Sequence, residues 1–163
     1  MNMSAPTAAL SPEPRILVLG YGNPGRQDDG LGPAVAAGID RLGWSNITAY
    51  DNYQLNIEDA LEVAGHDVVW FVDAAKAGPA PYHVRALSAA LSIGFTSHSV
   101  RPEAILAIAR QYYGKSPQAF LLAIRGYQFE FVEELTAGAA DNLRVALTML
   151  TDIIRASCAP VAS

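Results

Sequence analysis

The feature that most constrains the fold is a short apolar run that ends in a glycine-rich turn. The run is Ile16–Leu19, and it is followed, at the spacing G-x-G-x-x-G, by Gly20, Gly22 and Gly25. A continuous apolar run ended by glycine is typical of a parallel strand covered on both faces. The same spacing occurs where a strand turns into a helix beside a dinucleotide. Here, however, two acids, Asp28 and Asp29, stand where a phosphate would bind, and they favour a cation instead.

Composition predicts one domain and excludes several classes of function. The chain has 163 residues, of which 51% are hydrophobic, which is enough for one core. Its net charge of -5 argues against nucleic acid and anionic membranes as partners. The single cysteine, Cys158, excludes an internal disulfide and a cysteine-cluster metal site, and it fits a reducing cytoplasm. We expect a cytoplasmic protein without a membrane helix or signal peptide.

Alternating strand and helix patterns predict a three-layer α/β domain. Strands are predicted at 16–19, 47–50, 67–72, 82–87 and 119–124, and helices at 30–42, 56–64, 102–113 and 139–156. We expect a mostly parallel twisted sheet of about five strands with helices on both faces. The domain spans 15–157, between a flexible N-terminal tail at 1–14 and a C-terminal tail at 158–163.

Acidic side chains follow two of the predicted strands and form a candidate metal site. Asp28 and Asp29 follow the first strand, Asp73 ends the strand at 67–72, and His98 lies in the loop at 88–101. The carboxyl ends of parallel strands meet at one edge of a sheet, so one of the paired acids is expected near Asp73. Two carboxylates and an imidazole suit a divalent transition metal. The alternatives are helix capping by the paired acids, turn bonding by Asp73 and a loop role for His98.

The remaining polar residues are assigned structural roles. His66 and His83 are expected to be structural or solvent-facing, and Glu58, Asp59 and Glu62 to form a solvated helix face behind an Asn56 cap. The alternating aromatic segment 127–131 indicates either packing at the edge of the core or a peptide-binding lip. No Gly-x-Ser-x-Gly motif is present, which removes support for a serine hydrolase.

Four segments together resemble the hydrogenase maturation proteases, which process the large subunits of nickel-iron hydrogenases. The resemblance extends from Arg15 to about Arg155 and is carried by Gly20–Gly32, Phe71–Ala74, Thr96–Ser99 and Ile124–Gly126. It implies an endopeptidase that removes the C-terminal extension of the large-subunit precursor after nickel insertion.

The resemblance also selects among the candidate residues. The three metal-contacting positions of the family match Asp29, Asp73 and His98, which leaves Asp28 as a helix cap or an auxiliary base. Many members have glutamate at the position of Asp29. The nickel is expected to be supplied by the precursor, and the protein to be monomeric.

Two other functions stay open at this point. One is a dinucleotide-binding domain that uses Gly20, Gly22 and Gly25, with Asp51 as the ribose acceptor. The other is a nickel-binding escort protein that uses the same three ligands without cutting.

Overall fold

The computed structural model describes residues 13–90 and 100–158. The strands are β1 (Ile16–Tyr21), β2 (Ile47–Asn52), β3 (Val68–Ala75), β4 (Tyr82–Leu87) and β5 (Gln118–Arg125). The helices are α1 (Leu31–Asp40), α2 (Asp59–Ala64), α3 (Pro102–Tyr113) and α4 (Ala137–Cys158). A 3-10 segment, Pro24–Gly30, joins β1 to α1.

The five strands form one sheet in the order β2-β1-β3-β5-β4. β1 pairs in parallel with β2 and with β3, and β3 pairs in parallel with β5. β4 is antiparallel to β5 and lies at the edge, where most of its side chains are exposed. The prediction of a mostly parallel five-stranded sheet is confirmed, and so is the edge position of β4.

Helices cover both faces of the sheet because alternate residues of the central strands point to opposite sides. On one face Ile16, Val18 and Val72 pack with residues of α1 and α4. On the other face Leu17 and Phe71 pack with residues of α2 and α3. The side chains of Ile16–Leu19 are at most 1% exposed, as a strand covered on both sides requires.

The strand order creates a crevice at one edge of the sheet. The chain leaves β1 through α1 on one face and returns from β2 through α2 on the other face, so β2 and β3 lie on opposite sides of β1. In open sheets, binding sites form outside the carboxyl ends of two neighbouring strands whose connections run to opposite faces of the sheet. The residues that follow β1 and those that end β3 therefore flank this crevice.

The start of α2 differs from the prediction. Asp59 is 6% exposed, so its assignment to a solvated face is wrong. Its carboxylate accepts hydrogen bonds from the Tyr50 hydroxyl (2.9 Å), Asn52 Nδ2 (3.0 Å) and the Asn56 amide (2.8 Å). Asn56 therefore donates to an acid inside the helix, and it does not cap the helix with its own side chain. The helical pattern of the segment does not show that the Asp59 side chain accepts a hydrogen bond from the Asn56 amide.

The end of α4 also differs, because Cys158 is the last residue of this helix and not part of a tail. Its sulfur accepts a hydrogen bond from Asn46 Nδ2 at 2.9 Å. Residues 1–12 and 159–163 of the predicted tails lie outside the described residues. Within the described ranges, no helix is both long enough and apolar enough to cross a membrane.

The two histidines outside the candidate site occupy the positions expected of them. His66 is buried, and its Nδ1 lies 2.6 Å from the Glu62 carbonyl oxygen. His83 is exposed on β4.

Candidate functional site

The turn after β1 folds back on Asp29 and holds its carboxylate at the crevice. Asp29 Oδ2 accepts a hydrogen bond from the Asn23 amide at 2.7 Å. Gly22 has a φ of 140°, and a Cβ placed on it would lie 2.0 Å from the Asp29 carbonyl oxygen. This position therefore requires glycine, because any side chain would push Asp29 away from the strand end.

Asp73 faces the same crevice from β3. It pairs in register with Ala123 of β5, and its Oδ1 accepts the Ala74 amide at 2.8 Å. Burial, and then the negative charge of Asp29, raise the pKa of Asp73 to about 7, against the lowering effects of the Ala74 amide, Lys76 and Tyr21. The charge of Asp29 therefore acts on Asp73 across this crevice, and we call these two residues the paired acids. Two carboxylates that act on each other in this way favour either a proton or a bound cation.

Tyr21 is a residue of this site that the sequence did not reveal. Its phenol interacts with Asp73, and burial and the charge of Asp73 raise the pKa of the phenol well above its ordinary value. The hydroxyl therefore stays protonated and can donate a hydrogen bond to the carboxylate. The available signal was an aromatic residue with a polar tip, placed as the last residue of a buried strand.

Asp28 lies apart from this pair although it precedes Asp29 directly. It is 0% exposed. Its carboxylate accepts hydrogen bonds from the Tyr127 amide (2.7 Å), the Gln128 amide (3.1 Å), the Thr136 amide (2.8 Å) and the Thr136 hydroxyl (2.8 Å). Burial acts to raise the pKa of Asp28, but these hydrogen bonds outweigh it and hold the pKa below its ordinary value.

The contacts of Asp28 point to a structural role. The prediction that it caps the following helix is wrong, because its oxygens bind the loop at 127–136 and α1 has no side-chain cap. Its role as an auxiliary base stays a prediction, and the burial of the carboxylate does not favour it.

The third predicted ligand, His98, lies outside the described residues. In the two ranges that are described, no group of three or more His, Cys, Asp or Glu side chains is placed to hold a metal ion. The ligand set Asp29, Asp73 and His98 therefore stays a prediction, and the described residues show only that Asp29 and Asp73 flank the same crevice.

The glycines of the turn pack against the chain itself and do not form a phosphate cradle. A Cβ on Gly20 would lie 2.1 Å from the Gly32 carbonyl oxygen, and Gly22 is covered in the same way by Asp29. The Asn23 amide, which could have bound a phosphate, donates to Asp29. These contacts argue against the dinucleotide-binding alternative.

Similar solved structures include hydrogenase maturation proteases from archaea and bacteria. The nickel-iron hydrogenase maturation protease HycI from Thermococcus kodakarensis KOD1 matches with a TM-score of 0.72 at 18% identity, over 90% of this chain and 96% of that chain. The hydrogenase maturating endopeptidase HybD from E. coli matches with a TM-score of 0.69 at 21% identity, over 88% of this chain and 93% of that chain.

A third similar structure is the hydrogenase 2 maturation peptidase from a Thaumarchaeota archaeon, with a TM-score of 0.63 at 18% identity, over 86% of this chain and 97% of that chain. No family model matches the sequence, and no curated protein matches it. The similarity therefore rests on structure and extends over nearly the whole length of both partners. This chain has the fold of the hydrogenase maturation proteases.

Proposed function

We propose that this chain is an endopeptidase that removes the C-terminal extension from the precursor of a nickel-iron hydrogenase large subunit after nickel insertion. The observation that supports the proposal is the placement of Asp29 after β1 and of Asp73 in β3, the two neighbouring strands that flank the crevice, with the charge of Asp29 acting on Asp73. The similar structures named above are maturation proteases, which supports the same activity here.

The chemistry of the pair suits a nickel ion that arrives with the substrate. Two carboxylates close together repel each other, and a divalent cation between them would relieve this repulsion. Carboxylate and imidazole ligands are both compatible with Ni²⁺, so Asp29, Asp73 and His98 would contact the nickel already held by the precursor. A precursor without nickel would lack this attraction to the carboxylates and would bind less tightly. This difference in affinity would delay cleavage until the metal is inserted.

The residues around the pair would hold it ready for this contact. The Asn23 amide fixes one oxygen of Asp29, and the Ala74 amide fixes one oxygen of Asp73. The Tyr21 hydroxyl, which acts to lower the pKa of Asp73, would add a donor to this carboxylate. Nickel bound there would polarise the scissile carbonyl, and we favour this direct role over one in recognition alone.

A processing assay tests the proposal. The purified chain is incubated with nickel-loaded and nickel-free precursor, and the mass of each precursor is measured before and after. We expect the nickel-loaded precursor to lose its C-terminal extension and the nickel-free precursor to stay intact. Equal cutting of both precursors would contradict nickel gating.

Substitution of the paired acids is the first prediction. Asp29→Asn and Asp73→Asn should each lower the processing rate by about 100-fold or more, because each removes a charged group that contacts the nickel. Asp51→Asn is the matched control, since Asp51 is exposed on β2, and it should keep the wild-type rate. Circular dichroism should show all three variants folded. Wild-type rates in both site variants would exclude the pair from the reaction.

The same assay separates the escort function from the protease. An escort protein would bind the nickel-loaded precursor in a pull-down and leave its mass unchanged. Loss of the extension only in the presence of the wild-type chain would support the protease.

A further inference from the structure

An exposed aromatic segment follows β5 and contacts the segment that carries Asp29, and the site described above does not use it. We call residues 127–132 the aromatic loop. Phe131 is 88% exposed, and Tyr127 and Val132 are 47% and 46% exposed. Packing at the edge of the core therefore does not account for Phe131. Exposed apolar side chains grouped together on a folded protein mark an interaction surface.

The aromatic loop is held firmly by the segment that carries Asp29. The Gln27 amide donates to the Val132 carbonyl at 2.7 Å, and the Asp28 amide donates to the Gln128 carbonyl at 3.1 Å. Gln27 has a φ of 54°, a strained value for a residue other than glycine, which these contacts maintain. The backbone of the loop is thus largely bonded within the chain, so the loop offers side chains to a partner. Because the loop is already ordered, binding would cost little conformational entropy.

Arg26 supplies an anion-binding group next to Phe131. Its guanidinium carbon lies 5.6 Å from the centre of the Phe131 ring. Its Nη2 makes one long contact of 3.5 Å with the Phe129 carbonyl, while its Nε is buried and is therefore not accessible to a partner protein. The Nη groups of a guanidinium beside an aromatic ring are suited to a carboxylate.

The aromatic loop also adjoins the end of β3, the strand that carries Asp73. The Gly126 amide, just before the loop, donates to the Ala75 carbonyl at 2.9 Å, and Lys76 Nζ lies 5.2 Å from the centre of the Phe129 ring. Arg26 precedes Asp29 by three residues in the same segment. A polypeptide bound at the paired acids would therefore pass beside Phe131 and Arg26.

We propose that Phe131 and Arg26 dock the segment of the precursor next to the scissile bond. An apolar side chain of that segment packs on Phe131, and a carboxylate of the same segment binds Arg26. The exposed Glu130, Glu133 and Glu134 would repel a carboxylate of the precursor. A carboxylate is therefore expected to bind on the side of the loop where Arg26 lies. This inference rests on the proposed function, because it takes the precursor as the partner.

The test measures KM and kcat for nickel-loaded precursor. Phe131→Ala should raise KM by about tenfold and leave kcat within about twofold, since the ring contributes to docking and not to the reacting groups. Tyr112→Ala is the matched control, because Tyr112 is 72% exposed near the end of α3, which leads to the amino end of β5. It should leave both constants unchanged. A KM for Phe131→Ala within about twofold of the wild-type value would overturn the docking role of the ring.

The binding of a precursor carboxylate to Arg26 is tested by measuring KM at several ionic strengths. The wild-type KM should rise with ionic strength, and Arg26→Met, which keeps much of the stem and removes the charge, should show a higher KM that depends less on salt. Equal salt dependence in both proteins would overturn the assignment of a carboxylate to Arg26.

Binding measurements separate this inference from the proposed function. If the wild-type chain binds the nickel-loaded precursor without cutting it, the protease is excluded, and the dissociation constants of wild type and Phe131→Ala still decide the docking. If the wild-type chain does not bind the precursor, both proposals are overturned.

Discussion

At the scale of single residues, two adjacent acids have opposite environments. Asp28 is buried, and backbone and hydroxyl donors of the loop at 127–136 surround it. Asp29 faces the crevice, where its negative charge contributes to the raised pKa of Asp73. Asp28 thereby fixes the segment that carries Asp29, and it ties the aromatic loop to the same segment. We assign Asp28 to the support of this segment, and the chemical role of Asp29 stays part of the proposed function.

Replacement of Asp28 is the prediction at this scale. Asp28→Asn replaces one carboxylate oxygen, which accepts hydrogen bonds, by an NH2 group that faces other donors. It should lower the free energy of unfolding by about 2–4 kcal/mol. Because the folded state lowers the pKa of Asp28, this contribution is complete above the unfolded pKa of about 4 and is lost as the pH falls through the folded pKa. The difference between wild type and variant should therefore shrink in acid. Urea unfolding at several pH values measures it.

The control for this prediction is Asp51→Asn. Asp51 is exposed on β2, so its replacement should change the free energy of unfolding by less than about 0.5 kcal/mol. A similarly small change for Asp28→Asn would contradict the structural role of Asp28.

At the scale of elements, the start of α1 packs directly on the backbones of β1 and β3. A Cβ on Gly32 would lie 2.5 Å from the Val72 carbonyl oxygen and 2.6 Å from the Tyr21 carbonyl oxygen. Gly20 faces Gly32 across this contact, which no side chain could enter. The close approach of α1 to the sheet sets where the 3-10 segment ends, and hence where Asp29 lies.

Gly32→Ala tests this packing. The new methyl group would meet backbone atoms that cannot move independently, so we expect a loss of about 3 kcal/mol or more in the free energy of unfolding. Gly65→Ala is the matched control, because its Cβ would meet atoms no closer than 3.5 Å. Its free energy of unfolding should change by less than about 1 kcal/mol. Equal thermal midpoints for the two variants would refute the packing argument.

At the scale of the whole molecule, the strand order brings distant parts of the chain to one crevice. β1 and β3 are neighbours although β2 lies between them in sequence. The loop that follows β5 then reaches back across the sheet edge to Asp28. The loop at 127–136 and the 3-10 segment are thus held together at the carboxyl ends of the strands.

If the precursor supplies the nickel, folding of the chain should not depend on the metal. We expect the thermal midpoint to change by less than about 1 °C with about 50 µM Ni²⁺ or with excess chelator, because a ligand stabilises a protein only by binding its folded state tightly at that concentration. Differential scanning calorimetry measures the midpoint, with Asp29→Asn as the control for binding at the pair. A rise of several degrees in wild type that is lost in Asp29→Asn would indicate a resident metal.

Local sequence patterns are sufficient to predict most of the strands and helices and the fold class. Strand and helix patterns located β4 and α3 at their observed bounds, since period-2 alternation and a proline at the first helical turn are local signals. The continuous apolar run of β1 predicted a strand covered on both faces, and β1 is buried by helices on both sides. The predicted strand at 67–72 ends before Asp73, whereas β3 continues to Ala75 and includes it, and Asp29 lies in the 3-10 segment after β1.

Only the tertiary structure decided which polar residues are buried and which acids meet. Asp59 appeared to belong to a solvated helix face, but Tyr50 and Asn52 on β2 enclose it. Asp28 and Asp29 are alike in sequence, and their separation depends on amides about 100 residues away. Burial and hydrogen bonding of a polar group depend on chain segments brought together by the strand order, and no local pattern encodes them.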